Sequence, residues 1–313
     1  AAPAAAAGLA GDNPFPGLRP FRPGEADRFF GRGQQIDELV ALLGRVRFIA
    51  VSGASGCGKS SLVLAGLLSA LRRQHADGLG PDWRPVVLRP GNRPIANLAA
   101  PLAEALAPAP LPADTPATDA DATGAATATA TAIATDRADG LYGQLRLGGL
   151  GLAEAVRLAR LPADARVLVV VDQFEEVFRF KRMADPDEAA AFVKLLLQAA
   201  ADETAPVSVL ITLRSDALGS CADFRDLPEA ASRGGYLVPR LKRAQRQEAI
   251  VKPVELRGAR IAPRLVQRLL NDVSDDYDDL PVMQHVLSRT WQQWAAGNGG
   301  NGGNGGSGGS RPI

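Results

Sequence analysis

Cysteine is nearly missing from this 313-residue chain: Cys57 and Cys221 are its only two. Two cysteines cannot build a disulfide framework, which points to a reducing compartment and a cytoplasmic location. Histidine is as scarce, and His75 and His285 are too far apart in sequence to suggest a zinc site. No apolar run reaches about 18 residues, so no membrane-spanning helix is expected. The Ala-rich start lacks a basic stretch ahead of an apolar core and does not read as a signal peptide. Excess charge is absent too: 35 Lys+Arg against 34 Asp+Glu leave +1. Such a chain has no global basic field to wrap a polyanion, so nucleic acid is not indicated as a partner.

What is present is a hydrophobic fraction of 46%, enough for a sizeable core. Residues 1–12 (Ala/Gly/Pro-rich) read as a disordered linker, and 107–140, with its Thr-Ala run, as a low-complexity surface insertion. Residues 297–310 hold only Gly, Asn and Ser, a tether composition. The first residue is Ala, and Arg311-Pro312-Ile313 follows the tether, so the chain reads as a fragment of a longer polypeptide. Between these segments, short apolar runs alternate with helical periodicity. Phe48–Val51, Val86–Leu88, Val167–Val171 and Val207–Leu213 are strand candidates. Helical patterns cover 34–43, Ser60–Leu71, 95–106, 151–160 and 187–201. That alternation predicts an α/β fold, a parallel sheet flanked by helices. Past Leu237 only helical patterns remain, over 243–295. The expected division is therefore a P-loop domain over 13–236, a small all-α module over 237–296 and a linker over 297–313.

Gly53-Ala54-Ser55-Gly56-Cys57-Gly58-Lys59-Ser60 fits G-x-x-x-x-G-K-[S/T], after a strand and before a helix. The glycines let the backbone curl so that successive N–H groups face phosphate oxygens, and the helix N-terminus adds its dipole. Lys59 would neutralise β- and γ-phosphate charge, and Ser60 would ligate Mg²⁺, with Ser61 beside it. Only five lysines occur in the chain, which sharpens this one. Cys57 reads as a small filler of a variable position; a thiol near a helix N-terminus could also be redox-sensitive.

Val167-Leu168-Val169-Val170-Val171-Asp172 is an apolar strand ending in a carboxylate. Ligands bind beyond the carboxyl ends of parallel strands, so Asp172 is placed to hold Mg²⁺ directly or through water. The position after it, often a water-activating carboxylate in P-loop ATPases with an inserted strand, is Gln173. Glu175, then Glu176, are the candidates to position water, with Gln173 as an orienting alternative. Both acids could instead serve only the dipole of a helix start, and hydrolysis would then be slow. Arg214, at the end of the fourth strand, could sense the γ-phosphate or pair with Asp216 or Asp172.

Three stretches together resemble the STAND class of signal-transduction NTPases, in its bacterial branch often fused to WD40 repeats. They are Asn13-Pro-Phe-Pro-Gly-Leu-Arg-Pro-Phe21 with Phe29-Phe30-Gly31-Arg32, the phosphate loop, and Asp172-Gln-Phe-Glu-Glu-Val-Phe178. Arg214-Ser-Asp216, Leu237-Val-Pro-Arg-Leu241 and Leu280-Pro-Val-Met-Gln-His285 fit the same branch, so the resemblance spans 13–295. It implies that Phe30, Gly31 and Arg32 lie beside adenine and ribose, that Arg214 is the sensor, and that Pro281 touches the nucleotide. Asp279 stands where that class has a glycine, two residues before Pro281. The resemblance further implies a switch: ADP holds a closed state, ATP drives opening and homo-oligomerisation, and sensor and effector domains flank the core.

The remaining features read more plainly. Trp291, Trp294, Leu287 and Val286 pack the helical module. Arg240, Lys242, Arg243 and Arg246 form a solvated basic face, and the acids between Asp272 and Asp279 a solvated loop whose spacing does not fit a calcium site. The sequence thus predicts an ATP/ADP- and Mg²⁺-binding switch with slow ATPase activity. The rivals are a constitutively turning-over ATPase and a non-hydrolysing nucleotide-stabilised scaffold. No Asn-Lys-x-Asp guanine motif occurs, which favours adenine.

Overall fold

The runs richest in Val, Ile and Leu become strands buried on both faces, as a helix-covered parallel sheet requires. The computed structural model describes residues 13–107, 135–272, 279–299 and 313. The expected N-terminal linker, most of the Thr-Ala insertion, most of the glycine-rich tether and the acidic run past Asp272 lie outside the described residues. In chain order the elements are a 3₁₀ turn (Pro23–Arg28), α1 (Gly33–Leu43), β1 (Phe48–Gly53), α2 (Lys59–Ser61), a π-helical stretch (Leu62–Leu67), α3 (Leu68–Ala76), β2 (Asp82–Leu88) and α4 (Pro94–Ala105). Then come α5 (135–146), α6 (Gly151–Leu158), β3 (Ala165–Val171), α7 (Glu175–Met183), α8 (Pro186–Ala201), β4 (Val207–Arg214), a 3₁₀ stretch (Ser215–Asp223) and α9 (Leu227–Arg233). The last are β5 (Gly235–Leu237), α10 (Arg243–Glu255), α11 (Pro263–Asp272) and α12 (Asp279–Gly299).

The strands form one sheet in the order β2-β3-β4-β1-β5. Val167 faces Val207 across β3 and β4, Val86 faces Val169 across β2 and β3, and Val51 faces Tyr236 across β1 and β5, all in parallel pairs. β4 is thus inserted between the phosphate-loop strand and the strand that ends at Asp172.

Two expectations need correction, and one strand was missed. Residues 135–140, expected within the insertion, open α5, whose Leu145 is buried. Residues 297–299, expected in the tether, extend α12. β5, absent from the strand candidates, pairs with β1 and ends at Leu237, where strand signals are expected to stop; it is three residues long and largely exposed at the sheet edge, too short for a periodic signal.

The chain divides into two compact units. One consists of Ala41–Ser52 and Leu71–Leu237. In it Val167, Val169, Ile211 and Leu213 from the sheet pack with Leu98 and Leu102 of α4, Phe178 of α7 and Phe192 of α8. The other unit is drawn from three stretches: residues up to Val40, Gly53–Ala70, and those from Val238 on. Its core joins Ile250 and Val254 of α10, Val266 and Leu270 of α11, Met283, Leu287 and Trp291 of α12, and Phe15 from the N-terminal segment. Trp291 is fully buried and stacks on Trp294 at 5.1 Å, whereas Val286 is exposed. Of the basic cluster, Arg243 donates to Leu270 O, Gln267 Oε1 and Asn271 Oδ1, placing a cation at the C-terminal end of α11.

Asn13 fixes that N-terminal segment. Its Nδ2 donates to Ser288 O at 3.0 Å and to Ser288 Oγ at 2.9 Å, while its Oδ1 accepts from Phe15 N at 3.0 Å. The small turn aims Phe15 into the helical core.

Candidate functional site

β1 runs out at Gly53, and the chain curls through Gly56 (φ +71°) and Gly58 (φ +91°) before α2 begins at Lys59. Both glycines hold left-handed conformations that side chains disfavour, so the motif's glycine spacing is a geometric requirement. Gly58 O accepts the first helical bond, from Leu62 N at 2.8 Å. Lys59 Nζ donates to Gly53 O at 2.9 Å and Ala54 O at 2.7 Å, so its ammonium is held over the loop. Cys57 is 2% exposed; its Sγ packs on Gly53 and lies 3.9 Å from Lys59 Nζ. Burial makes this thiol a packing group with poor access for oxidants. Ser55 is exposed; Ser60 and Ser61 are half-buried. Ser61 Oγ accepts from Phe21 N at 3.1 Å, so this hydroxyl also ties down the N-terminal segment.

The residues expected around the base belong to the same unit. Gly31 has φ +83°, and a Cβ there would meet Gln245 O of α10 at 2.5 Å, so only glycine fits. Phe30 is half-buried, with Lys252 Nζ 5.5 Å from its ring centre. Arg32 is 3% exposed and its guanidinium bonds two backbone carbonyls, Pro239 O at 2.7 Å and Cys57 O at 2.9 Å. Pro281 sits half-buried in the first turn of α12.

Asp172, Gln173, Glu175, Glu176 and Arg214 belong to the sheet unit. Asp172 is 2% exposed. Its Oδ1 accepts from Thr212 Oγ1 at 2.8 Å, and its Oδ2 from Arg89 Nε and Nη2, both at 3.3 Å. Thr212 does more: its Oγ1 accepts from Gln173 N at 3.0 Å, and its carbonyl from Phe174 N at 2.8 Å. Gln173 has φ +59°, uncommon for a residue with a side chain, and these bonds from β4 hold that turn. Sequence reasoning missed Thr212 and Arg89. One signal existed for the first, a hydroxyl near the carboxyl end of a largely apolar strand; an Arg89 partner 83 residues away in sequence leaves none.

Glu176 Oε2 accepts from Gly91 N at 2.9 Å, so its carboxylate anchors the loop beyond β2. Both acids lie in the first turn of α7. Arg214 pairs with Asp216 at 2.6 Å, both side chains about half exposed. Ser60 in one unit and Asp172 in the other each carry a hard oxygen of the kind a small divalent cation takes. Among the described residues no group of three or more His, Cys, Asp or Glu could hold an ion alone.

A five-stranded parallel sheet, a left-handed glycine loop opening a helix, and a buried carboxylate at the end of another strand of that sheet define a P-loop NTPase. The chain belongs to the Novel STAND NTPase 1 family, whose model matches residues 14–301. Among solved structures, one with a TM-score above 0.5 shows the same fold, and two others are similar at lower scores, all at low identity. The Aeropyrum pernix ORC2 protein in its ADP form is 13% identical, with a TM-score of 0.52 over 91% of this chain and 71% of that one. The Aeropyrum pernix ORC1 protein in complex with DNA is 16% identical, with a TM-score of 0.49 over 85% of this chain; the chain spans 60% of its length. A chain of the E. coli MS115-1 HORMA:CdnC:Trip13 complex is 15% identical, with a TM-score of 0.43 over 89% of this chain and 92% of that one. A search of curated protein sequences gives no significant match. Among the described residues no helix is long and apolar enough to cross a membrane.

Proposed function

We propose that this nucleotide-binding NTPase module is an ATP/ADP switch that controls conformation and homo-oligomerisation within a larger signalling protein. Lys59 and the loop amides hold the phosphates, Ser60 ligates Mg²⁺, and Asp172 holds the ion's water shell. Held there, Mg²⁺ would supply screening of the phosphate charge. Glu175 positions the attacking water, with Glu176, whose carboxylate accepts from Gly91 N, as the alternative. Gln173, in place of a carboxylate, keeps hydrolysis slow. Arg214 leaves Asp216 for the γ-phosphate, an exchange its exposure permits. Phe30, Gly31 and Pro281 frame the nucleotide, and sensor and effector domains of the whole protein, in the cytoplasm, read the state.

The observation that carries this reading is the make-up of the second unit: the phosphate loop clusters with the C-terminal helices and the N-terminal segment. A γ-phosphate makes contacts that ADP cannot, so nucleotide exchange can bias the packing of that unit. The test is size-exclusion chromatography with light scattering in ADP-Mg²⁺ and in a non-hydrolysable ATP analogue. The switch reading expects a larger mass with the analogue, lost in Lys59→Ala. One mass in both nucleotides, with both shown to bind, contradicts it.

A further inference from the structure

We infer that Arg32 is a positioning residue of the phosphate cradle, gripping the loop from behind and tying it to the connector that leads into α10. The inference rests on the loop being a nucleotide site and gives that site its route to the helices. The Arg32 guanidinium is buried, and its planar fork donates to Cys57 O at 2.9 Å and to Pro239 O at 2.7 Å. Cys57 C=O and Gly58 N–H belong to one planar trans peptide, so they point in opposite directions. Holding the carbonyl back against Arg32 aims the Gly58 N–H the other way. The cation also polarises that peptide and strengthens the N–H as a donor to an anion. Gly58, at φ +91°, has no side chain to fix the orientation of its peptide, and Arg32 supplies the restraint.

The second bond makes the first consequential. Pro239 lies between β5 and α10, so one rigid side chain holds both the loop and the start of the helical stretch. Gly31, with no room for a Cβ beside Gln245 O, packs the preceding peptide against the first turn of α10. A loop that shifts when phosphate arrives moves Arg32, and Arg32 moves the connector.

A residue that organises the cradle and one that touches base or ribose give different patterns. We would measure ADP and AMP affinities by calorimetry for the wild type, Arg32→Gln and Arg32→Lys, with melting temperatures alongside. Arg32→Gln is expected to weaken ADP about tenfold or more while AMP changes less than about twofold. Arg32→Lys, which can reach one carbonyl, falls between. Equal losses for ADP and AMP, or no loss, overturn the inference. Because a buried guanidinium also supports folding, the wild type supplies a second readout. ADP, unlike AMP, is expected to slow amide exchange at 240–242; unchanged exchange there overturns the coupling. A wild type that fails to bind ADP overturns the nucleotide-site reading itself, whereas ADP binding indifferent to Arg32 overturns only this inference.

Discussion

The two compact units are built by different rules. The sheet unit takes its core from apolar runs that are complete in themselves, as in Ala165–Val171, where only Arg166 is exposed. The helical unit is assembled from three distant stretches, and the Asn13–Ser288 bonds span 275 residues. Closing so long a loop adds only logarithmically to the entropy cost, so a few well-placed groups can hold the N-terminal segment. The difference teaches where nucleotide sensitivity belongs. A sheet buried on both faces resists rearrangement, whereas a unit joined by a few polar and aromatic anchors can open at modest cost.

The hardest test of that contrast is Phe15→Ala, which empties a core position that is 3% exposed. It should cost about 3–5 kcal/mol. Chemical denaturation reads the loss, and hydrogen exchange should place it in α10–α12 while β3 and β4 keep their protection. Equal loss of protection in both units would erase the distinction. Next comes Thr212→Val, which removes the hydroxyl shared by Asp172 and Gln173 at a cost of about 1–3 kcal/mol. Its sharper signature is in binding: ATP should need more Mg²⁺, and Thr212→Ser should restore the wild-type requirement. Asn13→Ala is expected to cost about 1–2 kcal/mol and to speed proteolysis of the N-terminal segment while leaving the sheet unit intact.

The smallest effect is one of acid. Hydrogen bonding to Arg19 holds the Glu25 carboxyl down to about 2 from its ordinary 4.5. A depressed carboxyl stabilises the fold fully above its unfolded value and loses that contribution as pH falls through its folded one. The 3₁₀ turn at Pro23–Arg28 should therefore loosen between about pH 4.5 and 2, by less than about 1 kcal/mol given the exposure of Arg19. Arg19→Ala should shrink this pH dependence in an acid titration of the melting temperature, leaving the part due to Arg22 N and Arg28.

The same contrast decides what could be read beforehand. β1, β3 and β4 announce themselves as apolar runs, and the phosphate loop is a local motif whose glycines are required by backbone geometry alone. Asp172 was legible as the residue ending a buried strand. Its partners were not: Thr212 and Arg89 are brought to it by strand order, which short-range patterns do not encode. Asn13 and Phe15 likewise stood out only as part of a recurring string, and the structure supplies the reason, a turn that seats an aromatic ring in a distant core. β5 left no trace because three largely exposed edge residues carry no periodicity. α5 was obscured by the low-complexity composition before it, which hid the buried Leu145.

The central claim is that phosphate occupancy at the loop is felt by the C-terminal helices. Hydrogen exchange of the wild-type protein, saturated first with ADP-Mg²⁺ and then with a non-hydrolysable ATP analogue, tests it most directly. The account predicts that the analogue alters protection in the connector 238–242 and in the first turns of α12 around Pro281, while β3 and β4 stay the same. Identical exchange at those segments in both nucleotides, with both bound at the loop, would contradict it.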